Sequence, residues 1–201
     1  VHLKWVNKEI PEHCPIKYDA FAVNTPEYKL KKDFMFDFSE DSDMLPFISY
    51  NYDILGNKNV QAYIRKLCAK LRVFMIVDES HKIRNIKNIA TKFLHDIANL
   101  PIYKRIMTGT PTGNDQVLDL YSQYYFLSPK IINASSFWAF KNTYAVWQKI
   151  VLNPTEVARG LPERSFKKRL GLKNKDKLLK KIAPYTYTKK KKDVHDMPDK
   201  N

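Results

Sequence analysis

The stretch VFMIVDESHK, Val73 to Lys82, runs five apolar residues directly into two carboxylates, a hydroxyl and an imidazole. A short apolar run with β-branched residues at both ends predicts a strand buried on both faces, as in parallel sheets covered by helices. Its polar tail then leaves the strand's carboxyl end. In open α/β sheets ligands bind at that edge, which makes Asp78 and Glu79 candidate site residues by position alone. Side chains of an extended chain alternate in direction, so the two carboxylates are expected to face different ways. The plain alternative is an Asp-Glu pair capping the next helix, where negative charge meets the helix dipole.

Working outward, Val60, Ile64, Leu67 and Leu71 predict a helix feeding this strand. Ile83, Ile86, Ile89, Phe93 and Ile97 predict a second amphipathic helix after it, with Lys82, Arg84, Lys87 and Lys92 on its other sides. YKRIM, 103–107, predicts another strand, and TGTPTGND turns the chain into a helix built on Val117, Leu120 and Tyr124. Further strands are predicted around Phe21 and over PFISYNYDIL, 46–55, running into a turn at Gly56, and a short helix over LKWVNKEI that Pro11 ends. Alternating strands and helices indicate an α/β domain with a parallel sheet, assigned to residues 1–130. Beyond it, Phe137, Phe140, Tyr144 and Trp147 follow helical spacing, while Pro154, Gly160, Pro162 and Gly171 punctuate a polar, basic stretch. Residues 131–201 are therefore expected to form a helical, basic extension that returns to the lobe.

Composition sets outer bounds. The 201 residues are 44% hydrophobic and 13% aromatic, enough for one domain with an appendage. Cys14 and Cys68 have no CxxC spacing, which argues against a disulfide framework or a structural zinc and favours an intracellular setting. No apolar run approaches a membrane span, and the amino terminus lacks the apolar core of a secretion signal. The net charge of +14 attracts polyanions. Fifteen Lys/Arg against five Asp/Glu between Arg159 and Asn201 place ten of those charges in the last fifth of the chain. Nucleic acid is the first candidate partner.

About thirty residues after the acidic cluster, by the usual spacing of strands joined by a helix, the second strand ends in TGTP at what should be the same sheet edge. Thr108 and Thr110 offer hydroxyls to a carboxylate or to His81, and Gly109 permits close backbone approach. Magnesium takes oxygen ligands and keeps several waters, so one carboxylate plus the phosphates of a nucleotide suffices to hold it. Asp78 would then orient the magnesium shell and Glu79 the attacking water.

DESH at Asp78 to His81 followed by TGTP at Thr108 to Pro111 resembles motifs II and III of superfamily-two helicases. DESHKIRN is similar to the D-E-x-H-x-x-K-N form of the Swi/Snf-type helicase-like ATPases, and TGTPTGNDQVLDLYSQYYFLSP to their TGTP-x-x-N segment, matched at Asn114, Leu120, Phe126, Leu127 and Pro129. LKWVNKE resembles the N-W-x-x-E after motif Ia, FISYNYDIL the T-x-Y segment of motif Ib, and KKDVHDMPDK the segment that closes the first lobe. The resemblance implies an incomplete first RecA-like lobe of an ATP-driven DNA translocase. ATP and magnesium are the implied cofactors and double-stranded DNA the implied track. Asp78 falls on the metal, Glu79 on the hydrolytic water, and His81, Thr108, Gly109 and Thr110 in coupling. Contacts to DNA phosphates are implied for Lys4, Ser49, Tyr50, Tyr52, Thr112 and Asn114. No G-x-x-x-x-G-K-[ST] occurs in these residues. The phosphate-cradling segment and a second RecA-like lobe are expected to be supplied from elsewhere, leaving this piece inactive alone and its sheet with exposed apolar patches. Thr188 and Lys189 stand where the family has paired arginines, which weakens the bidentate contact expected there. The competing expectations are a non-catalytic nucleic-acid-binding lobe, a restriction-type translocase and an RNA helicase. A cytoplasmic location is expected of a bacterial or viral protein and a nuclear one of a eukaryotic protein.

Overall fold

The computed structural model describes residues 2–23, 43–113 and 116–189. The chain divides into two compact units, Val1–Met107 and Thr108–Asn201. This division precedes the compositional boundary expected after residue 130.

In the first unit the amino-terminal helix continues past Pro11. It is α-helical over His2–Lys4, π-helical over Trp5–Glu9 and α-helical again over Ile10–His13. Proline removes a donor and crowds the preceding turn. Here the Ile10 N–H closes a wide turn on the Trp5 carbonyl, and Pro11 falls in the first turn of the final segment, where a missing N–H is tolerated. Strands β1 (Tyr18–Ala22) and β2 (Leu45–Ser49) pair in parallel, Tyr18 opposite Leu45 and Ala22 opposite Ser49. Phe21 of β1 packs with Leu67 of helix α1 (Lys58–Lys70), together with Ile48, Tyr63 and Leu71. Helix α1 begins where Asn57 accepts hydrogen bonds from the N–H groups of Asn59 and Val60, and it buries Val60, Ile64, Leu67 and Cys68.

Strand β3 (Phe74–Val77) pairs in parallel with β4 (Tyr103–Ile106), Phe74 opposite Tyr103 and Val77 opposite Ile106. Parallel pairing is as the alternating pattern predicts. Burial of β3 on both faces is not: Phe74 and Ile76 are 53% and 45% exposed, and only Val77 of the strand is buried. Phe74 and Ile76 share one pleat face, where Phe74 meets Tyr103 edge to face at 6.4 Å. An apolar run records that a strand is greasy on both sides; which side is covered depends on the neighbours.

The helix expected from Ile83 onward starts late. Ser80–Ile83 is a 3-10 turn and α2 spans Ile89–Asp96. Asn85 accepts from the Lys87 N–H at 2.9 Å and Asn88 caps α2 through the Ala90 N–H at 3.0 Å. These side chains satisfy backbone donors that a longer helix would have used. Ile83, Phe93 and Ile97 are buried as the periodicity predicts, but Ile89 is 64% exposed. Arg65 ties α1 to α2 by pairing with Asp96 and lying 5.2 Å over the Phe93 ring.

In the second unit a 3-10 turn over Gln116–Asp119 leads into α3 (Leu120–Leu127), followed by α4 (Pro129–Ile132) and α5 (Phe137–Tyr144). Their core is aromatic: Phe126 and Phe140 are fully buried, and Tyr121 lies 5.2 Å from both Phe137 and Phe140. Residues 145–172, expected to be helical with loops, form an antiparallel ribbon of β5 (Ala145–Val151) and β6 (Ser165–Leu172). Trp147 continues the helical spacing of 137, 140 and 144 by coincidence and belongs to β5. Asn153 closes the ribbon, donating to the Pro162 carbonyl and accepting from the Arg164 N–H. Helix α6 (Lys175–Ile182) follows, burying Leu178 and Ile182. Among the described residues no helix is long and apolar enough to cross a membrane.

Candidate functional site

The parallel register carries both strand ends to one edge. The Met107 N–H donates to the Val77 carbonyl at 3.0 Å and the Ser80 N–H to the Met107 carbonyl at 2.8 Å. The Asp78 loop therefore leaves the same edge as the segment that leads into Thr108.

Strand β3 ends at Val77, so strand alternation does not separate the two carboxylates. Glu79 itself has a left-handed backbone, with φ 50° and ψ 49°. For a residue with a Cβ this conformation costs roughly 1–2 kcal/mol and persists only where the surroundings hold it. The Glu79 N–H donates to Asp78 Oδ1 at 2.9 Å, and the following Ser80 N–H is fixed on Met107. Glu79 makes no side-chain cap on the turn it opens. Its carboxylate, 43% exposed, lies 3.1 Å from His81 Nδ1, with the ring N–H as donor. The His81 carbonyl in turn accepts from Arg84 Nε at 2.9 Å.

Asp78 is fixed from three sides. Trp5 Nε1 donates to Oδ2 at 2.9 Å, the Glu79 N–H occupies Oδ1, and the Tyr52 hydroxyl donates to the Asp78 main-chain carbonyl. Trp5 lies in the π-helical turn, a widening often found at functional sites. Lys82 places its ammonium 5.3 Å over the Tyr52 ring. Burial first, then the negative Asp78 and Glu79, hold the Tyr52 phenol well above its ordinary range. The raised value means that this contribution to stability is full below the unfolded phenol's pKa of about 10 and is lost as pH rises above it, because the unfolded chain releases a proton the folded one keeps. Tyr52→Phe should cost about 0.5–1.5 kcal/mol at pH 7. It should also make the alkaline fall of stability shallower, as urea unfolding at neutral and strongly alkaline pH would read out. Identical alkaline slopes would refute the assignment.

Each Asp78 oxygen accepts one N–H and retains a lone pair, which fits a magnesium ion that keeps most of its waters. Among the described residues no group of three or more His, Cys, Asp or Glu could form a closed cage.

In the second unit the Thr110 N–H donates to Thr108 Oγ1 at 3.1 Å, forming a tight hydroxyl turn. Gly109 is exposed and its φ is not left-handed. Gln123, fully buried, holds this loop by donating to the Pro111 and Asp119 carbonyls at 2.6 and 3.0 Å. Among the residues expected to touch DNA, Ser49 ends β2, Tyr50 and Tyr52 follow it, and Thr112 is exposed. Lys4 pairs with Glu9 at 2.8 Å, which raises the lysine's pKa and lowers the carboxyl's. Asn114 and all of KKDVHDMPDK, 191–200, lie outside the described residues, whereas Thr188 and Lys189 lie within them. Sequence reasoning missed Trp5 and Tyr52 as partners of Asp78, since nothing local links positions 73 and 26 residues apart. It also missed Gln123.

The first unit thus carries a parallel strand pair with an acidic loop at the carboxyl end of β3. Residues 29–201 match the SNF2-related domain, and the chain belongs to that family. It is 30% identical over 139 residues to the SWI/SNF chromatin-remodeling complex subunit snf22 of Schizosaccharomyces pombe, covering 68% of this chain and 8% of that protein. It is 27% identical over 128 residues to the TATA-binding protein-associated factor mot1 of the same organism, covering 63% and 6%. Its fold is similar to that of the Sulfolobus solfataricus SWI2/SNF2 ATPase core in complex with dsDNA, with a TM-score of 0.51 and 20% identity over 89% of this chain and 30% of that one. At that identity the likeness shows the fold alone. The chain spans less than a tenth of the two curated relatives and under a third of the solved one.

Proposed function

We propose that this chain is part of an ATP-hydrolysing motor that moves along double-stranded DNA, with the Asp78 loop as its catalytic edge. The observation that carries this reading is the fixation of Asp78 by the Trp5 indole and the Glu79 N–H at the carboxyl end of β3. Asp78 orients the water shell of magnesium carried with ATP. The ion, when bound, neutralises charge on the phosphates. Glu79, whose carboxylate is exposed, orients the attacking water and accepts its proton; His81 fixes the Glu79 carboxylate. Thr108, Gly109 and Thr110 pass the state of the nucleotide edge onward. Lys4, Ser49, Tyr50, Tyr52, Thr112 and Asn114 meet the DNA backbone, a contact without sequence preference that weakens steeply with salt. The Tyr52 hydrogen bond to the Asp78 carbonyl gives a direct link between the track side and the nucleotide side.

The test is magnesium-dependent ATP hydrolysis by the intact protein containing this chain, with duplex DNA, single strands and RNA supplied in turn. Duplex DNA should stimulate most. Equal or greater stimulation by RNA would replace this reading with that of an RNA helicase, and nucleic-acid binding without hydrolysis would leave a binding lobe.

A further inference from the structure

The β5–β6 ribbon assembles like charges where the fold does not require them. Lys149 lies opposite Lys167 and Trp147 opposite Arg169, so these four side chains share one face, while Lys168 and Gln148 occupy the other. Like charges directly opposite on paired strands are destabilising. Glu163 pairs with Lys149 and relieves only part of this. The neighbouring α5 adds to the same cluster. Lys141 Nζ lies 4.4 Å over the Trp147 ring and 5.5 Å over Trp138, and Lys167 Nζ lies 5.4 Å over Trp138. Trp138 is itself 55% exposed. Aromatic faces attract ammonium groups and thereby hold flexible lysines in fixed positions. From Lys141 to Lys173 there are eight Lys/Arg and two Asp/Glu.

Packing of α5 against the ribbon accounts for the half-buried Trp147 but not for Lys149 set opposite Lys167, or for Lys167 held over the exposed Trp138. A repeating anion accounts for them. Lys167 and Arg169, two residues apart on β6, are separated by about 6.8 Å along the strand. That distance is about the axial advance of two nucleotides on one DNA strand.

We infer that the face formed by Lys141, Lys149, Lys167 and Arg169, with Trp138 and Trp147, binds the phosphate backbone of nucleic acid. This surface lies in the second unit. It shares its polymer with the motor reading but none of its residues, and it needs no nucleotide.

The experiment uses the 201-residue chain, a fluorescent 20-base-pair duplex of arbitrary sequence and anisotropy titrations over a range of salt, without ATP. Each phosphate contact contributes a slope of about 0.9 in log K against log salt, equivalent to about fivefold in Kd at 0.15 M. The double variant Lys141→Gln, Lys167→Gln should lower the slope by about 1.8 and raise Kd about 25-fold. The charge-matched control Lys168→Gln, Lys177→Gln, on the other ribbon face and on α6, should change both far less. Lys141→Arg with Lys167→Arg should keep wild-type affinity, which separates lost charge from lost packing. Equal losses in the two glutamine pairs, loss in the arginine pair, or no duplex binding by the parent would each overturn the inference. So would binding to phosphatidylserine vesicles in place of DNA. Failure of ATP hydrolysis elsewhere would leave these results unchanged.

Discussion

Glu79→Gln is expected to lower the rate of DNA-stimulated ATP hydrolysis by about 10²–10⁴-fold while leaving ATP binding intact. The substitution preserves size and hydrogen-bonding shape but removes the capacity to accept a proton. The Glu79 N–H bond to Asp78 and the left-handed backbone do not depend on the side-chain charge, so the loop should keep its form. His81 loses an anionic acceptor at 3.1 Å but can still donate to the amide oxygen. The variant should therefore bind nucleotide and DNA and stall before hydrolysis. The readouts are steady-state phosphate release and nucleotide binding on the same preparation. A Glu79→Gln protein as active as its parent would remove Glu79 from the chemistry.

The second large effect is expected at Trp5. Trp5→Phe keeps an aromatic ring and removes only the N–H that reaches Asp78 Oδ2. Hydrogen bonds to charged groups contribute about 1.5–3 kcal/mol. Loss of partners that orient a metal-binding group commonly costs about 10–100-fold in metal affinity or activity. The magnesium concentration that half-saturates hydrolysis should rise by about that factor, with the rate recovering at high magnesium. Unaltered magnesium dependence would show that the indole merely packs there. A loss of rate that no magnesium restores would place Trp5 in the fold and not in orienting Asp78.

These two residues mark different degrees of legibility. Glu79 stood out because a run of five apolar residues ending in carboxylates is a local pattern, and local patterns report the edge of a sheet. Trp5 carried only a likeness to a family segment. Its bond to Asp78 joins the amino-terminal helix to a strand end 73 residues later, a relation that periodicity cannot encode. Tyr52 was expected on the DNA side, and its hydroxyl lies on the Asp78 carbonyl. The ribbon shows the opposite difficulty. Helical spacing of Phe137, Phe140 and Tyr144 was sound, but Trp147 extended it by chance into a segment whose alternating side chains pair with β6.

Taken alone, the order of apolar runs and turns determined the α/β class, the parallel strands and the placement of Asp78 and Glu79 at a carboxyl edge, because each rests on neighbours within a few residues. Tertiary structure decided which β3 face is open, that Glu79 takes a left-handed backbone, what grips the Asp78 carboxylate and where lysines gather on rings. Those outcomes depend on contacts between residues distant in the chain, and the free energy of such contacts exists only once the backbone has brought them together.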